Sequence, residues 1–139
     1  MPTSIEHNVA YIAARVARHL ERDLEEALRP EKIPVSTARV LALLADDQGR
    51  PMSELADAVL VDPPTMTKMI DRLVSQSLVF RAPDPDDRRR VLIFMAPRGE
   101  ELWQRIAPAI ARQQQRIEAA MGTADLNRLC RMLDDLTRA

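Results

Sequence analysis

The sequence predicts a mainly α-helical fold with one small β-hairpin: a helix-turn-helix carrying a wing, flanked by long helices at both ends. Three observations lead there. Residues 53–75 (SELADAVLVDPPTMTKMIDRLVS) hold two short helical segments separated by a turn. Residues 78–95 follow as two apolar runs around an Asp/Arg-rich loop, DPDDRRR. Outside this middle, apolar residues recur at spacings of three and four over long stretches, which is the helical period.

The 139 residues suit one domain or two closely fused ones. With 46% hydrophobic and 29% charged residues, the composition is that of an ordinary globular protein. Aromatics make up only 3%, so the core must be aliphatic and methionine-rich. No apolar run approaches the roughly 20 residues of a membrane helix, and the N-terminal stretch is charged throughout, without the core of a signal peptide. A cytoplasmic location is the default expectation. The single cysteine, Cys130, excludes an internal disulfide and a multi-cysteine zinc site.

Residues 4–28 form the first long helix, with Ile5, Val9, Ile12, Val16, Leu20, Leu24 and Leu28 along one side. Pro30 and Pro34 end it. Ser36 is expected to cap a second helix over 37–45, with Val40, Leu41 and Leu44 turned to the core, and residues 46–51 are a turn. Ser53 is expected to cap a short helix to about residue 59, with Glu54 in its first turn. Asp62 then caps a helix over 63–75, in which Pro63 is tolerated at the first position. Met66, Met69, Ile70 and Leu73 face inward, and Thr65, Lys68 and Arg72 face outward. Residues 78–81 and 90–95 are strands. A long helix over about 98–121 carries Leu102, Trp103, Ile106, Ile110, Ile117 and Met121, with Pro108 expected to kink it. Thr123 is expected to cap the last helix, whose stripe is Leu126, Leu129, Cys130, Leu133 and Leu136. The organisation is read as a dimerisation helix over 1–35, a DNA-reading domain over 36–97 and dimerisation helices over 98–139. The long apolar stripes have too little neighbour in one chain, so they are expected to meet each other and their copies across a two-fold axis.

The chemistry points to duplex DNA. The net charge is −1, but residues 63–90 hold six bases against four acids. Thr65, Thr67, Lys68 and Arg72, with Ser53 and Pro64 beside them, offer hydroxyls and cations to a groove. Arg88, Arg89 and Arg90 at a hairpin tip suit phosphates and a narrow minor groove. The acids of that loop repel DNA, so Asp84 and Asp87 are read as ordering residues that pin the wing arginines or Arg72. Nothing implies a cofactor, a metal or an enzyme: there is no phosphate-binding glycine loop, and only two histidines, His7 and His19. Cys130, on an apolar stripe, is expected to be a buried structural cysteine.

These residues resemble the MarR family of winged-helix regulators. SELADAVLVD, TKMIDRLV, LVFRAPDPDDRRRVLI and MAPRGEEL correspond to its helix-turn-helix, its acidic-Arg-Leu step, its wing and its exit. The resemblance implies a homodimer joined through its terminal helices. It implies major-groove contact by the helix holding Thr65 to Arg72 and wing contact by Arg88 and Arg89. Repression at palindromic sites and release by a small, often aromatic, molecule also follow from it. Candidate pocket residues are then Tyr11, Arg15, His19, Arg39, Met66 and Met69. Sensing of oxidants through Cys130 and a winged helix used only for protein contacts are the alternatives. The chain departs from the family pattern at Pro63 and Pro64, at Ser77 where glycine is usual, at Asp86 within the wing, and at Met95 and Ala96.

Overall fold

The computed structural model describes residues 4–139. Its elements are α1 (Val9–Leu28), α2 (Val35–Leu44), α3 (Met52–Val59), α4 (Pro63–Ser75), β1 (Val79–Pro83), β2 (Val91–Met95), α5 (Pro97–Met121) and α6 (Thr123–Leu136). This is the mainly helical fold with a two-stranded wing that the sequence predicts. No described helix is long and apolar enough to cross a membrane.

The chain divides into two compact units, one running up to Ala107 and the other Pro108–Ala139. The first holds the core. Leu41 and Leu44 from α2, Leu55 from α3, Met66, Ile70 and Leu73 from α4 and Ile93 from β2 are each 2% exposed or less. Leu28 at the end of α1, and Leu102 and Ile106 in the early turns of α5, are buried as well. Strands β1 and β2 pair antiparallel from Val79↔Met95 to Pro83↔Val91. Arg50 adds a single antiparallel bridge to Ile93 on the other edge of β2. In the second unit Leu126 is buried, whereas Met121, Leu129, Met132, Leu133 and Leu136 are exposed.

Four helix starts differ from the sequence reading, and each has a local cause. Pro34 and Pro51, not Ser36 and Ser53, occupy the N-cap positions of α2 and α3. The Pro34 carbonyl accepts from the amides of Thr37 and Ala38, and the Pro51 carbonyl accepts from Leu55. Both prolines are extended, with ψ 160° and 155°, and their carbonyls open each helix one or two residues earlier, which leaves Ser53 exposed in the first turn. At α6 the N-cap is Gly122, and the Thr123 hydroxyl instead lies 2.7 Å from Glu118 Oε1. The first helix does not start at Ser4: a short 3₁₀ turn, Ile5–His7, precedes it. Asn8 then caps α1, its Oδ1 accepting from the Tyr11 amide at 3.0 Å. Pro108 lies inside α5, where it removes one backbone donor.

At the exit of α4, Ser77 takes φ 60°, the left-handed conformation that favours glycine. The amide of Ser77 donates to the Val74 carbonyl and that of Leu78 to the Leu73 carbonyl. A side chain in this conformation costs on the order of 1 kcal/mol. Ser77→Gly is therefore expected to raise stability by about 0.5–1 kcal/mol. The check is the urea midpoint at unchanged m-value; a lower midpoint contradicts the assignment of strain.

Candidate nucleic-acid interface

The candidate interface is built on α4. Asp62 caps it, Oδ1 accepting from the Thr65 amide at 3.3 Å, and Pro63 and Pro64 fill the first two positions. These prolines carry no amide hydrogen and Asp62 adds a negative charge, so this N-terminus is a poor seat for a phosphate. Attraction for a phosphate at this helix would have to come from cationic side chains. Met66, Ile70 and Leu73 anchor the helix in the core, which leaves two flanks outside. Thr65, Lys68 and Arg72, at spacings of three and four, form one flank; Thr67 and Asp71 form the other. The Thr67 hydroxyl donates to the Pro63 carbonyl at 3.1 Å and keeps its acceptor capacity.

The wing tip closes on itself. The Asp84 amide donates to the Arg90 carbonyl at 2.8 Å and the Arg90 amide to the Asp87 carbonyl at 2.9 Å. Asp84 Oδ1 accepts from the Asp86 amide at 2.9 Å, and Asp87 Oδ1 from the Arg89 amide at 3.2 Å. Both carboxylates thus fold the loop through backbone donors, as aspartate does in turns. Asp87 also stands 3.5 Å from Arg89 Nε, while that arginine remains 94% exposed. Arg72 is a partner of neither aspartate among the described contacts. Arg88, Arg89 and Arg90 are all exposed. Asp87→Ala is expected to weaken DNA binding about threefold to tenfold by loosening this loop, although it removes a repelling charge. Fluorescence anisotropy with labelled duplex checks the sign, and tighter binding contradicts an ordering role.

Two sets of contacts near these parts involve residues that the sequence reading did not single out. Arg81 on β1 is ion-paired with Asp71 on α4. Arg50, in the stretch that the sequence marks only as a turn, donates from Nε to the Leu43 carbonyl at 3.3 Å, from Nη2 to Asp46 at 2.6 Å and from Nη1 to Glu54 at 2.9 Å. The four-residue spacing of Asp46, Arg50 and Glu54 was the available clue.

The candidate pocket residues do not converge. Met69 lines a cavity of about 310 Å³ together with Lys32, Ser36, Thr37, Thr65, Lys68 and Arg72. No carboxylate lines it among the described residues. Arg15 and His19 lie along a groove on α1, and the Arg15 guanidinium sits 5.7 Å from the centre of the Tyr11 ring. Arg39 is held by Glu21 at 2.8 Å. Met66 is wholly buried and belongs to the core. In the single chain Cys130 is exposed, not buried as its apolar stripe suggested; Leu129, Leu133 and Leu136 of that stripe are exposed with it, and Leu126 is buried. Among the described residues no group of three His, Cys, Asp or Glu side chains is placed to hold a metal ion.

Residues 33–91 match the model of the MarR family. A putative transcriptional regulatory protein for the hcr operon of Thauera aromatica is 30% identical to this chain, over 91% of this chain and 81% of its own length. The chain belongs to the MarR family. Among solved structures, CouR from Rhodococcus jostii RHA1, bound to p-coumaroyl-CoA, superposes with a TM-score of 0.87 at 22% identity, covering 96% of this chain and 94% of its own. A cysteine-to-serine mutant of MarR from E. coli, complexed with operator DNA, superposes with a TM-score of 0.79 at 24% identity, covering 94% of each chain. This MarR-family chain is a DNA-binding transcriptional regulator with a winged helix. Its relatives are regulators rather than enzymes.

Proposed function

We propose that this MarR-family protein is a homodimeric repressor that reads an inverted-repeat operator and leaves it when a small anionic molecule binds. The observation that carries the dimer is uncovered apolar surface: Val9, Ile12 and Val16 on α1 and Leu129, Met132, Leu133 and Leu136 on α6 are all exposed in one chain. Stripes of this extent mark association surfaces. A closed two-fold pair presents two reading helices, and inverted half-sites mirror that symmetry.

In this reading Thr65, Thr67, Lys68 and Arg72 enter the major groove with Ser53 and Pro64 at its margin. Arg88, Arg89 and Arg90 reach phosphates or the minor groove. The effector reading rests on the cavity flanked by Lys32, Lys68 and Arg72, whose hydroxyl and cationic lining without a carboxylate suits an anion. CouR, solved with an acyl thioester, lends support to a small-molecule effector.

Sedimentation velocity and a salt titration test the proposal together. A dimer is expected, with log affinity for DNA falling steeply against log salt, by roughly 0.9 per phosphate neutralised. A monomer with a shallow slope contradicts it. The second reading is an oxidant-sensitive regulator acting through Cys130, which is exposed in the single chain but lies on the stripe that the dimer would cover. Release of DNA by peroxide from the parent protein but not from Cys130→Ser decides for that reading.

A further inference from the structure

The wing is a two-stranded hairpin, and such a hairpin has little rigidity of its own. Its tip hydrogen bonds are internal, so its aim relative to α4 must be set at its base. Buried Val79, Leu92 and Met95 seat that base in the core, and one rung of the ladder adds two polar attachments. Arg81 of β1 pairs with Ile93 of β2. On the outer side of β2, the Arg50 amide donates to the Ile93 carbonyl at 2.9 Å and the Ile93 amide to the Arg50 carbonyl at 2.7 Å. On the other side, the Arg81 guanidinium is bonded to Asp71 Oδ1. A single line therefore runs from Arg50, just ahead of α3, through Ile93 and Arg81 to the reading helix.

Asp71 is the anomaly that gives this line its meaning. It is an exposed carboxylate one residue before Arg72, on the outward side of a helix whose other exposed charges are cations. Beside phosphates such a group is unfavourable by simple Coulomb repulsion. It is not used within its own helix either, since its described ionic partner is Arg81 alone and Lys68, three residues earlier, is not paired with it.

We propose that Asp71 and Arg81 are positioning residues, a couple that fixes the angle between the wing and the reading helix so that both engage one duplex. Asp71 thereby strengthens DNA binding despite its charge. The inference rests on the wing contact proposed above, through Arg88 and Arg89.

Asp71→Asn is the decisive substitution because it reverses the expectation from charge alone. Binding of a mixed-sequence duplex of about 30 bp is followed by anisotropy from roughly 50 to 200 mM salt. The positioning role predicts about two- to fivefold weaker binding, where loss of repulsion alone predicts tighter binding. It also predicts a shallower salt slope, although no cation has been removed, because the wing no longer docks. Arg81→Asp should weaken binding too. The exchanged pair, Asp71→Arg with Arg81→Asp, should recover affinity and slope beyond either single change. The pair is exposed on both sides, so melting temperatures should stay close to the parent's and binding is compared well below them. Unchanged or tighter binding by Asp71→Asn overturns the proposal, as does absence of recovery in the exchanged pair. Arg88→Ala with Arg89→Ala separates the two levels. If that pair costs affinity while Asp71→Asn does not, the couple is refuted and the wing contact stands. If it costs nothing, the wing contact fails and the proposal with it.

Discussion

Gly99→Ala is expected to lower stability by about 3 kcal/mol. Gly99 lies in the first turn of α5, where the helix presses on the backbone leaving α4. A Cβ there would stand 2.0 Å from the Leu78 carbonyl oxygen and 2.9 Å from Met95 Sδ. The sulfur belongs to a flexible side chain and can turn away, but the carbonyl cannot. It accepts from the Ala96 amide at 3.0 Å, a bond that joins the start of β1 to the end of β2. Relief of the clash must therefore break that bond or lift α5, whose Leu102 and Ile106 are buried. A fall of roughly 10 °C in melting temperature corresponds to this cost. Melting at the parent temperature would show that the close approach does not exist.

Replacing Arg88 and Arg89 together with alanine should cost about a hundredfold in DNA affinity near 0.15 M salt if both protomers of a dimer lose two phosphate contacts. The slope of log affinity against log salt should become shallower by roughly 3 to 4 for the same reason. Both side chains are exposed, so stability should not change. Substitutions on α4 should behave differently. Thr65→Ala or Arg72→Ala is expected to cost about 1–3 kcal/mol on a true operator wherever the side chain meets a base edge, and less on mixed-sequence DNA. The contrast between a loss shared by all sequences and a loss confined to one sequence separates the two surfaces. Equal behaviour of both sets contradicts the division of labour between wing and helix.

Much of this architecture was legible because it follows from period and punctuation. The inward residues Met66, Ile70 and Leu73 sit at helical spacing, and Asp62 before Pro63 marks the start of α4, so that helix is readable to its last residue. The wing was legible from two apolar runs around a loop crowded with Asp and Arg. Helix starts were less so, since serine and threonine look like caps wherever they occur. Pro34, Pro51 and Gly122 took those positions through backbone geometry instead. Asn8 was hidden because the apolar period of α1 continues through the 3₁₀ turn before it.

The side chains proposed to meet DNA can be picked out of the sequence, but how they are held cannot. The ion pair of Asp71 and Arg81 spans ten residues across an element boundary, and no local period announces such a contact. The cavity beside α4 draws Lys32, Ser36 and Thr37 from the start of α2 and the segment before it, which only the packed fold brings to Lys68 and Arg72. Cys130 shows the opposite failure: its apolar stripe suggests burial, although a stripe declares only that some neighbour would cover it.

Operator reading by a dimer is tested most directly by selection of bound fragments from the source organism's genomic DNA by the purified protein at about 0.15 M salt, where nonspecific binding is suppressed. Enrichment of an inverted repeat with half-sites about one helical turn apart is the predicted result. A folded sample that enriches no sequence, or only isolated single half-sites, would contradict a dimer that reads an operator.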